Sequence, residues 1–358
     1  MKTITRPTEA VREATYPPPY PDGWYRVSAA DQLAPGELRY LECLGKQFVL
    51  YRSEDGKSVH AMSAFCPHLG ANLQGGCVKG QQVECPFHRW RLAADGRVAH
   101  IPYSDRVPHR VRQETWPIRE RYGQIFIYHR GGGHVSSADE APPYEIPAIP
   151  EVDAGTMVYR GRHDAGTVRM HLIEFAENSV DFAHFAPIHS EMMIPWTRFK
   201  VPFVGVRHDA AWEPDPEHPH LAYFHNKAMV EILGRPIERS RANATITFIG
   251  PGSVVTFRFS IPDVGEIVMF QTHLPVAPLE QKVDFHWFAD RKIPRLLVSY
   301  VVGNWVSQWA NDIEIWESKI YMNKPALAKG DGPVHRMRKW FRGFYPEAPE
   351  EEPAAAAP

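Results

Sequence analysis

Hydrophobic and polar positions change their rhythm along the chain. Residues 39–44, 47–52 and 59–62 are short apolar-rich runs broken by Gly45-Lys46 and by Glu54-Asp55-Gly56-Lys57. Such runs, punctuated by turn formers, predict a small antiparallel β domain. Ala94-Asp95-Gly96-Arg97 adds a hairpin signal, residues 124–128 read as a closing strand, and Pro17-Pro18-Pro19 with Pro21 predicts an extended lead-in. From Gly131 to Pro150 the chain turns to Gly, Ser, acid and Pro, the composition of a connector. Residues 172–185 then predict an apolar helix. Residues 296–322 predict a second, with Val301, Trp305, Gln308, Trp309, Asp312 and Trp316 at spacings of three and four. Between them, residues 244–249, 254–261, 267–276 and 283–288 read as strands of an antiparallel meander. Packed on a long helix, such a meander encloses an apolar cavity. Phe248, Phe257, Phe259, Met269, Phe270 and Trp287 are candidates to line it, although each reads first as core. Residues 334–345 form an amphipathic pattern, Met337, Trp340, Phe341 and Phe344 opposite Arg338, Lys339 and Arg342. Packing onto its own domain is the expected role of that helix; a membrane surface or an acidic redox partner is the alternative. Residues 347–358 alternate acid, Pro and Ala and predict disorder.

A chain of 358 residues accommodates two domains of ordinary size. We divide it into an N-terminal arm (1–20), a β domain (21–130), a linker (131–156), a catalytic domain (157–346) and a tail (347–358). The formal net charge of −2, without a block of Lys or Arg, excludes a nucleic-acid footprint. Glu9, Arg12 and Glu13 interrupt any apolar leader, and no apolar run reaches the ~18 residues of a membrane span. A soluble, cytoplasmic protein is expected. Of the four cysteines, Cys43 and Cys77 lie outside any motif, and reduced thiols are expected there rather than a disulfide.

The chemistry begins at Cys66-Pro67-His68. After sixteen intervening residues comes Cys85-Pro86-Phe87-His88. Two thiolates and two imidazoles in matched halves suit a [2Fe–2S] cluster with one iron on sulfur and the other on nitrogen. Tetrahedral zinc accepts the same donors, but zinc fingers usually place both Cys before both His, whereas each half here carries one of each. A second constellation follows. Asp181 and His184 stand at i and i+3 in the helical pattern, and His189 follows five residues on. In an unbroken helix His189 would be turned about 140° from His184, so a break is expected, with Pro187 as its cause. Two His and a carboxylate with open positions form the facial triad of oxygen-activating Fe(II) enzymes. Asp312 is the only acid in its stripe, and a carboxylate facing an apolar interior needs a partner or a metal. Glu314 projects from the opposite side. Unrelated histidines, and an Asp312 merely hydrogen-bonded to Trp or Tyr, are the structural alternatives.

Cys66-Pro-His-Leu-Gly-Ala-Asn-Leu73, Glu84-Cys-Pro-Phe-His-Arg-Trp90, Ile101-Pro-Tyr103, Asn311-Asp312-Ile-Glu-Ile-Trp316 and Asp331-Gly-Pro-Val334 together resemble the Rieske non-haem iron oxygenases, most of all their steroid- and sterol-processing branch. The resemblance implies an α+β chain: an N-terminal all-β Rieske [2Fe–2S] domain followed by a helix-grip catalytic domain of antiparallel sheet and long helices. It implies that Cys66 and Cys85 hold one cluster iron, and His68 and His88 the other. His184, His189 and Asp312 would hold mononuclear Fe(II), with O₂ as co-substrate. It also implies that Asp181 bridges a cluster His and an iron His across a subunit interface, hence a homotrimeric ring. Electrons would come from NAD(P)H through a ferredoxin or ferredoxin reductase. The implied reaction is hydroxylation or desaturation of a sterol or steroid; an aromatic-acid monooxygenase or demethylase, and a non-catalytic lipid carrier or electron-transfer protein, are the alternatives. The segment Glu177 to His189, with Pro187, departs from the patterns of either steroid subgroup.

Overall fold

Two-residue turns set much of the architecture, and they are written in backbone angles that side chains rarely adopt. In the computed structural model, which describes residues 4–346, Leu44 and Gly45 take φ of 57° and 66°, and Tyr122 and Gly123 take 55° and 69°. Paired left-handed residues are what a tight hairpin between twisted strands requires. A short helix, α1 (Glu9–Glu13), precedes β1 (Gly23–Ala29). Three small antiparallel sheets follow. The first pairs β2 (Leu38–Cys43), β3 (Lys46–Arg52) and β4 (Val59–Ser63). The next runs through β5 (Cys77–Lys79), β6 (Gln82–Glu84), β7 (Arg91–Leu92) and β8 (Val98–His100). The last sets β1 against β10 (Gln124–His129), which pairs on its other side with β9 (Ile118–Arg121). The Cys-His segments lie in the loops after β4 and β6.

The connector does more than its composition suggests. It contains α2 (Pro150–Asp153), and Tyr144, Ile146 and Ile149 are buried with Trp24 and Phe270. Trp24 Nε1–H donates to the Tyr144 carbonyl (2.9 Å) and the Ile149 N–H donates to Tyr122 Oη (2.7 Å). Its few large apolar residues therefore strap the two halves together, which an average over Gly, Ser and Pro hides.

The second half is a curved sheet gripping helices. β11 (Met157–Val168) leads to α3 (Leu172–Asn178) and α4 (Phe185–His189). The strands β12 (Glu191–Met193), β13 (Lys200–Pro214), β14 (Leu221–Ile232), β15 (Arg235–Pro236), β16 (Ala242–Ile249), β17 (Val254–Ile261), β18 (Gly265–Ala277) and β19 (Glu280–Asp290) complete a nine-stranded sheet. Its main order is β11-β19-β18-β17-β16-β14-β13-β12, and β15 pairs with β14. α5 (Arg295–Trp309) packs across it, with Trp305 against Phe257 (ring centroids 4.5 Å) and Trp309 against Phe285 (5.3 Å). α6 (Ile313–Ser318) and α7 (Val334–Arg342) close the chain. The helix expected over 296–322 is thus two helices, with Asp312 as the N-cap of the second.

The amphipathic C-terminal segment packs inward. Arg338, placed by periodicity on the polar face, is buried: it donates to Glu177 (2.6 Å) and to the Met322 carbonyl (2.7 Å) and lies 4.2 Å over the Tyr321 ring. A half-buried carboxylate on α3 overrides the helical pattern. The tail over 347–358 lies outside the described residues.

Four imidazoles are locked away from solvent. Burial pulls His129, His171 and His286 down to about 4 and His273 to about 3. Each is neutral in the folded chain, whereas the unfolded chain takes up a proton near pH 6.5. The folded pKa values are depressed, so the unfolded state binds more protons below pH 6.5 and stability falls as pH drops from there towards 4. Each imidazole contributes at most about 1.4 kcal/mol per pH unit in that window. The denaturant midpoint is expected to fall steeply between pH 6.5 and 5, and His273→Gln should flatten that slope; a pH-independent midpoint would refute the assignment.

Candidate metal centres

The two Cys-His loops are folded alike. The Gly70 N–H donates to the Cys66 carbonyl (2.9 Å) and the Arg89 N–H to the Cys85 carbonyl (3.2 Å), four residues on in each loop. Both Gly70 (φ 73°) and Arg89 (φ 59°) take left-handed conformations. The loops so turned bury Cys66 and Cys85 and leave His68 and His88 half-buried. The imidazole centroids are 4.7 Å apart, and His68 stacks on Trp90 (4.3 Å), whose Nε1–H donates to Tyr103 Oη (2.8 Å). His68 Nδ1 is buried without a hydrogen-bond partner. Such an orphan is costly unless something absent from the protein chain accepts it. Burial pushes the Cys66 thiol up to about 11, while the His68 and Leu69 N–H groups favour the thiolate. Two sulfurs, two imidazoles and an orphaned ring nitrogen fit a cluster with mixed ligation.

The second centre arises where the expected helix breaks. α3 stops at Asn178 because the Ser179 hydroxyl donates back to the Ala176 carbonyl (2.6 Å), a local bond that competes with helix propagation. The break is locked from outside by Gly332 (φ 78°): a Cβ there would lie 1.9 Å from the Val180 carbonyl oxygen. Asp181 lies in the gap, a 3₁₀ turn spans Phe182–His184, and α4 carries His189. Asp181 and His184 therefore do not share one helix. Pro187 is not the kink either, since it sits in the first turn of α4, where a missing N–H costs nothing.

The altered path brings His184, His189 and Asp312 together, with one ligand atom of each within 4.8 Å of the others. Hydrogen bonds orient the rings. His184 Nδ1–H donates to the Asp181 carbonyl, so the free pair on Nε2 faces Asn178 Nδ2 (3.3 Å). Burial holds the His184 imidazole below its ordinary pKa, the neutral state that a metal ligand needs. His189 Nδ1–H donates to Gln308 Oε1 (3.3 Å), and Gln308 Nε2 donates to the Glu191 carbonyl (2.8 Å). His189 Nε2 then points its lone pair at Asp312 Oδ1, 3.2 Å away. Two facing lone pairs in a buried site repel unless a proton or a cation sits between them. This donor set fits a divalent iron of the two-His, one-carboxylate type.

Sequence reasoning missed Gln308 and Asn178 as positioning groups; a lone Gln in the apolar stripe of α5 was the available signal. It also missed the arm. Arg12, from α1, donates to the carbonyls of Trp316 (2.7 Å), Lys319 (3.1 Å) and Arg169 (3.0 Å), tying the end of α6 to the approach of α3. Tyr16 donates to the fully buried Glu174 of α3, which Lys319 also meets (2.7 Å). The segments bearing His184 and Asp312 are thus clamped by residues 12 and 16. Arg12→Ala is expected to cost on the order of 3 kcal/mol by leaving three carbonyls without their charged donor, with Arg12→Lys recovering only part. Urea unfolding measures it; a change below about 0.5 kcal/mol would show the clamp to be idle.

The triad borders a cavity of about 1300 Å³, open mouth included. Phe224, Ile246, Phe248, Phe257, Phe259 and Trp305 form much of its wall. Of the candidate lining residues, Phe248, Phe257 and Phe259 are there. Met269, Phe270 and Trp287 are buried elsewhere, Phe270 on the opposite face of the sheet with Tyr122 (5.4 Å). His208 and Asn226 are the polar pair beside the triad, His208 Nε2 donating to the His189 carbonyl (3.3 Å).

Both halves of the chain match known protein families. Residues 23–113 match the Rieske [2Fe-2S] domain, and residues 135–345 match the 3-ketosteroid 9alpha-hydroxylase C-terminal domain. The cholesterol 7-desaturase nvd of Xenopus laevis is 33% identical over 338 residues, covering 92% of this chain and 72% of its own. A probable 3-ketosteroid-9-alpha-monooxygenase, oxygenase component, of Rhodococcus rhodochrous is 29% identical over 354 residues (95% and 83%). Among solved structures, NdmA of Pseudomonas putida CBB5 with caffeine superposes with a TM-score of 0.66 over 89% of each chain at 19% identity, a likeness of fold.

Proposed function

The chain belongs to the Rieske non-haem iron oxygenases with a 3-ketosteroid 9α-hydroxylase-type catalytic domain, and on that premise we propose that it oxidises a C–H position of a sterol or steroid, by hydroxylation or desaturation. The observation that carries this reading is the apolar cavity bordered by the iron triad. Its largely aromatic and aliphatic wall accommodates a large, nearly apolar molecule, with His208 and Asn226 as a polar pair beside the ligands and Asn243 and Ser260 as a second polar pair on β16 and β17. Cys66, Cys85, His68 and His88 hold the cluster, and His184, His189 and Asp312 hold the mononuclear iron. When bound, these groups supply single electrons and activate O₂.

The chain's own residues orient and insulate that chemistry. The Asp181 carbonyl and Gln308 fix the two imidazoles through their Nδ1–H groups, and the phenyl wall excludes water from the substrate side. The Asp181 carboxylate bridges the two centres. Among the described residues no hydrogen bond, ion pair or ring contact joins the cluster loops to residues 178–189 or 308–312. Leu69, Phe87 and Tyr103 stand exposed around the cluster tip, as a surface awaiting a partner would. Both observations support a bridge to the neighbouring subunit in a closed homotrimer. The cytoplasm, with NAD(P)H and a ferredoxin or its reductase as electron source, accords with free Cys43 and Cys77.

Incubating the enzyme with a ferredoxin, its reductase, NADH and a panel of sterols, ketosteroids and aromatic acids, read by mass spectrometry, tests the proposal. A sterol or steroid product that gains an oxygen or loses two hydrogens is expected. Turnover of aromatic acids alone would overturn it.

A further inference from the structure

The strands walling the cavity run outward from the iron ligands to one apolar and basic rim. On β13, Phe203 precedes His208 by five residues, about 17 Å along a strand. The Leu233 N–H donates to the Phe203 carbonyl (2.9 Å), so the β14–β15 hairpin and the start of β13 form one edge. The Ile194 N–H donates to the Phe199 carbonyl (2.8 Å), and Trp196 Nε1–H donates to the Ser299 carbonyl (3.1 Å), carrying this edge onto the first turns of α5. There Leu296 and Tyr300, one helical turn apart, share a side, and Tyr300 lines the cavity beside Met192.

This rim departs from an ordinary surface in three independent ways. Phe199, Phe203, Leu233 and Leu296 are each more than 70% exposed, a clustering of large apolar side chains that soluble surfaces seldom show. Phe203 (φ 65°) and Leu233 (φ 50°) adopt left-handed backbone, a conformation unfavourable for large side chains. At Leu233, with Gly234 (φ 75°), that conformation makes the two-residue turn between β14 and β15, whereas Phe203 stands inside β13, where no such turn accounts for it and the side chain buries little. Finally, segments 191–207 and 230–241 carry six Arg or Lys against three Glu, in a chain whose net charge is −2. The three Glu are each paired, with Lys200, Arg207 and Arg241, and Arg198, Arg235 and Arg239 are exposed with no ion pair among the described residues.

We propose that this rim seats on an anionic lipid bilayer, so that the mouth of the cavity opens against the membrane and an apolar substrate enters from lipid without crossing water. Exposed apolar tips insert at the boundary between headgroups and acyl chains, and unpaired guanidinium groups meet lipid phosphates. α7 is not the contact, since its apolar face and Arg338 are occupied within the protein. The entry route rests on the sterol or steroid reading above; the seating itself does not.

The test is sedimentation of the iron-loaded enzyme with vesicles of phosphatidylcholine, with and without phosphatidylglycerol. Binding only to the anionic vesicles is expected, weakened at about 1 M salt, where the screening length falls to about 3 Å. The pair Phe203→Asn and Leu233→Asn keeps residues that tolerate left-handed backbone. It should lower the partition coefficient at least about tenfold, the order expected from withdrawing two large apolar side chains. Arg235→Ser with Arg239→Ser should reduce the preference for anionic lipid. For the Asn pair, turnover of a cyclodextrin-delivered sterol should be unchanged and turnover of a vesicle-borne sterol reduced. Equal partitioning of wild type and the Asn pair, or no binding to anionic vesicles, overturns the proposal. So does a change of assembly mass by light scattering in the Asn pair, which would make the rim a contact between copies. Vesicle binding without turnover of any sterol or steroid would instead refute the substrate reading and leave the lipid seat standing.

Discussion

Alanine at His184, His189 or Asp312 is expected to reduce iron from about three to about two atoms per chain and to leave less than about a thousandth of the turnover, while the cluster keeps its absorption and EPR spectrum. The candidate ligands come from the turn between α3 and α4, from the end of α4 and from the cap of α6. Removing one leaves two donors with no local substitute, since Glu314 is exposed on the far side of α6. Asp312→Asn gives a further, sharper result. In the metal-free protein His189 Nε2 and Asp312 Oδ1 face each other at 3.2 Å, and an Asn Nδ2–H there would donate to that nitrogen. The metal-free variant should therefore unfold at no lower urea concentration than the wild type, although it binds no mononuclear iron. Loss of both iron and stability would show Asp312 to be a structural anchor rather than a ligand.

Asp181→Asn should separate the two roles read for that residue. Its carbonyl, which orients His184, survives the substitution, so both centres should load fully. Its carboxylate, half-buried and without a hydrogen bond or ion pair among the described residues, is replaced by a group that cannot take up or release a proton. Turnover is expected to fall about a hundredfold or more, the scale of losing a proton-handling side chain. Rapid mixing of the pre-reduced enzyme with O₂ and substrate should place the loss in cluster oxidation. Wild-type rates of cluster oxidation would remove the bridge, and lost iron would mean that the carboxylate serves the fold.

Some of this was legible in residue order because the chemistry is local there. Each Cys-His half lies within one turn, and donors so close must share a loop whatever the rest of the chain does. His184 and His189 were legible as a pair, and Asp312 as the odd acid in an apolar stripe. The break between α3 and α4 was expected, but at Pro187. It is instead set by Ser179 and by Gly332, some 150 residues away in sequence, and no local propensity encodes that approach.

The chain's own order of residues thus determined most of its element types, the candidate donors of both centres and the expectation of an apolar cavity, since these follow from side-chain period and donor chemistry. Only the tertiary structure decided the rest. It turned His189 towards Asp312, set Gln308 and Asn178 behind the imidazoles, and reached back to Arg12 and Tyr16 to clamp α3 and α6. It also set Leu233 against Phe203, thirty residues earlier, at one edge of the sheet. Contacts between distant segments depend on how whole elements pack, and that packing minimises buried unpaired groups and cavities over the entire chain rather than over any one window.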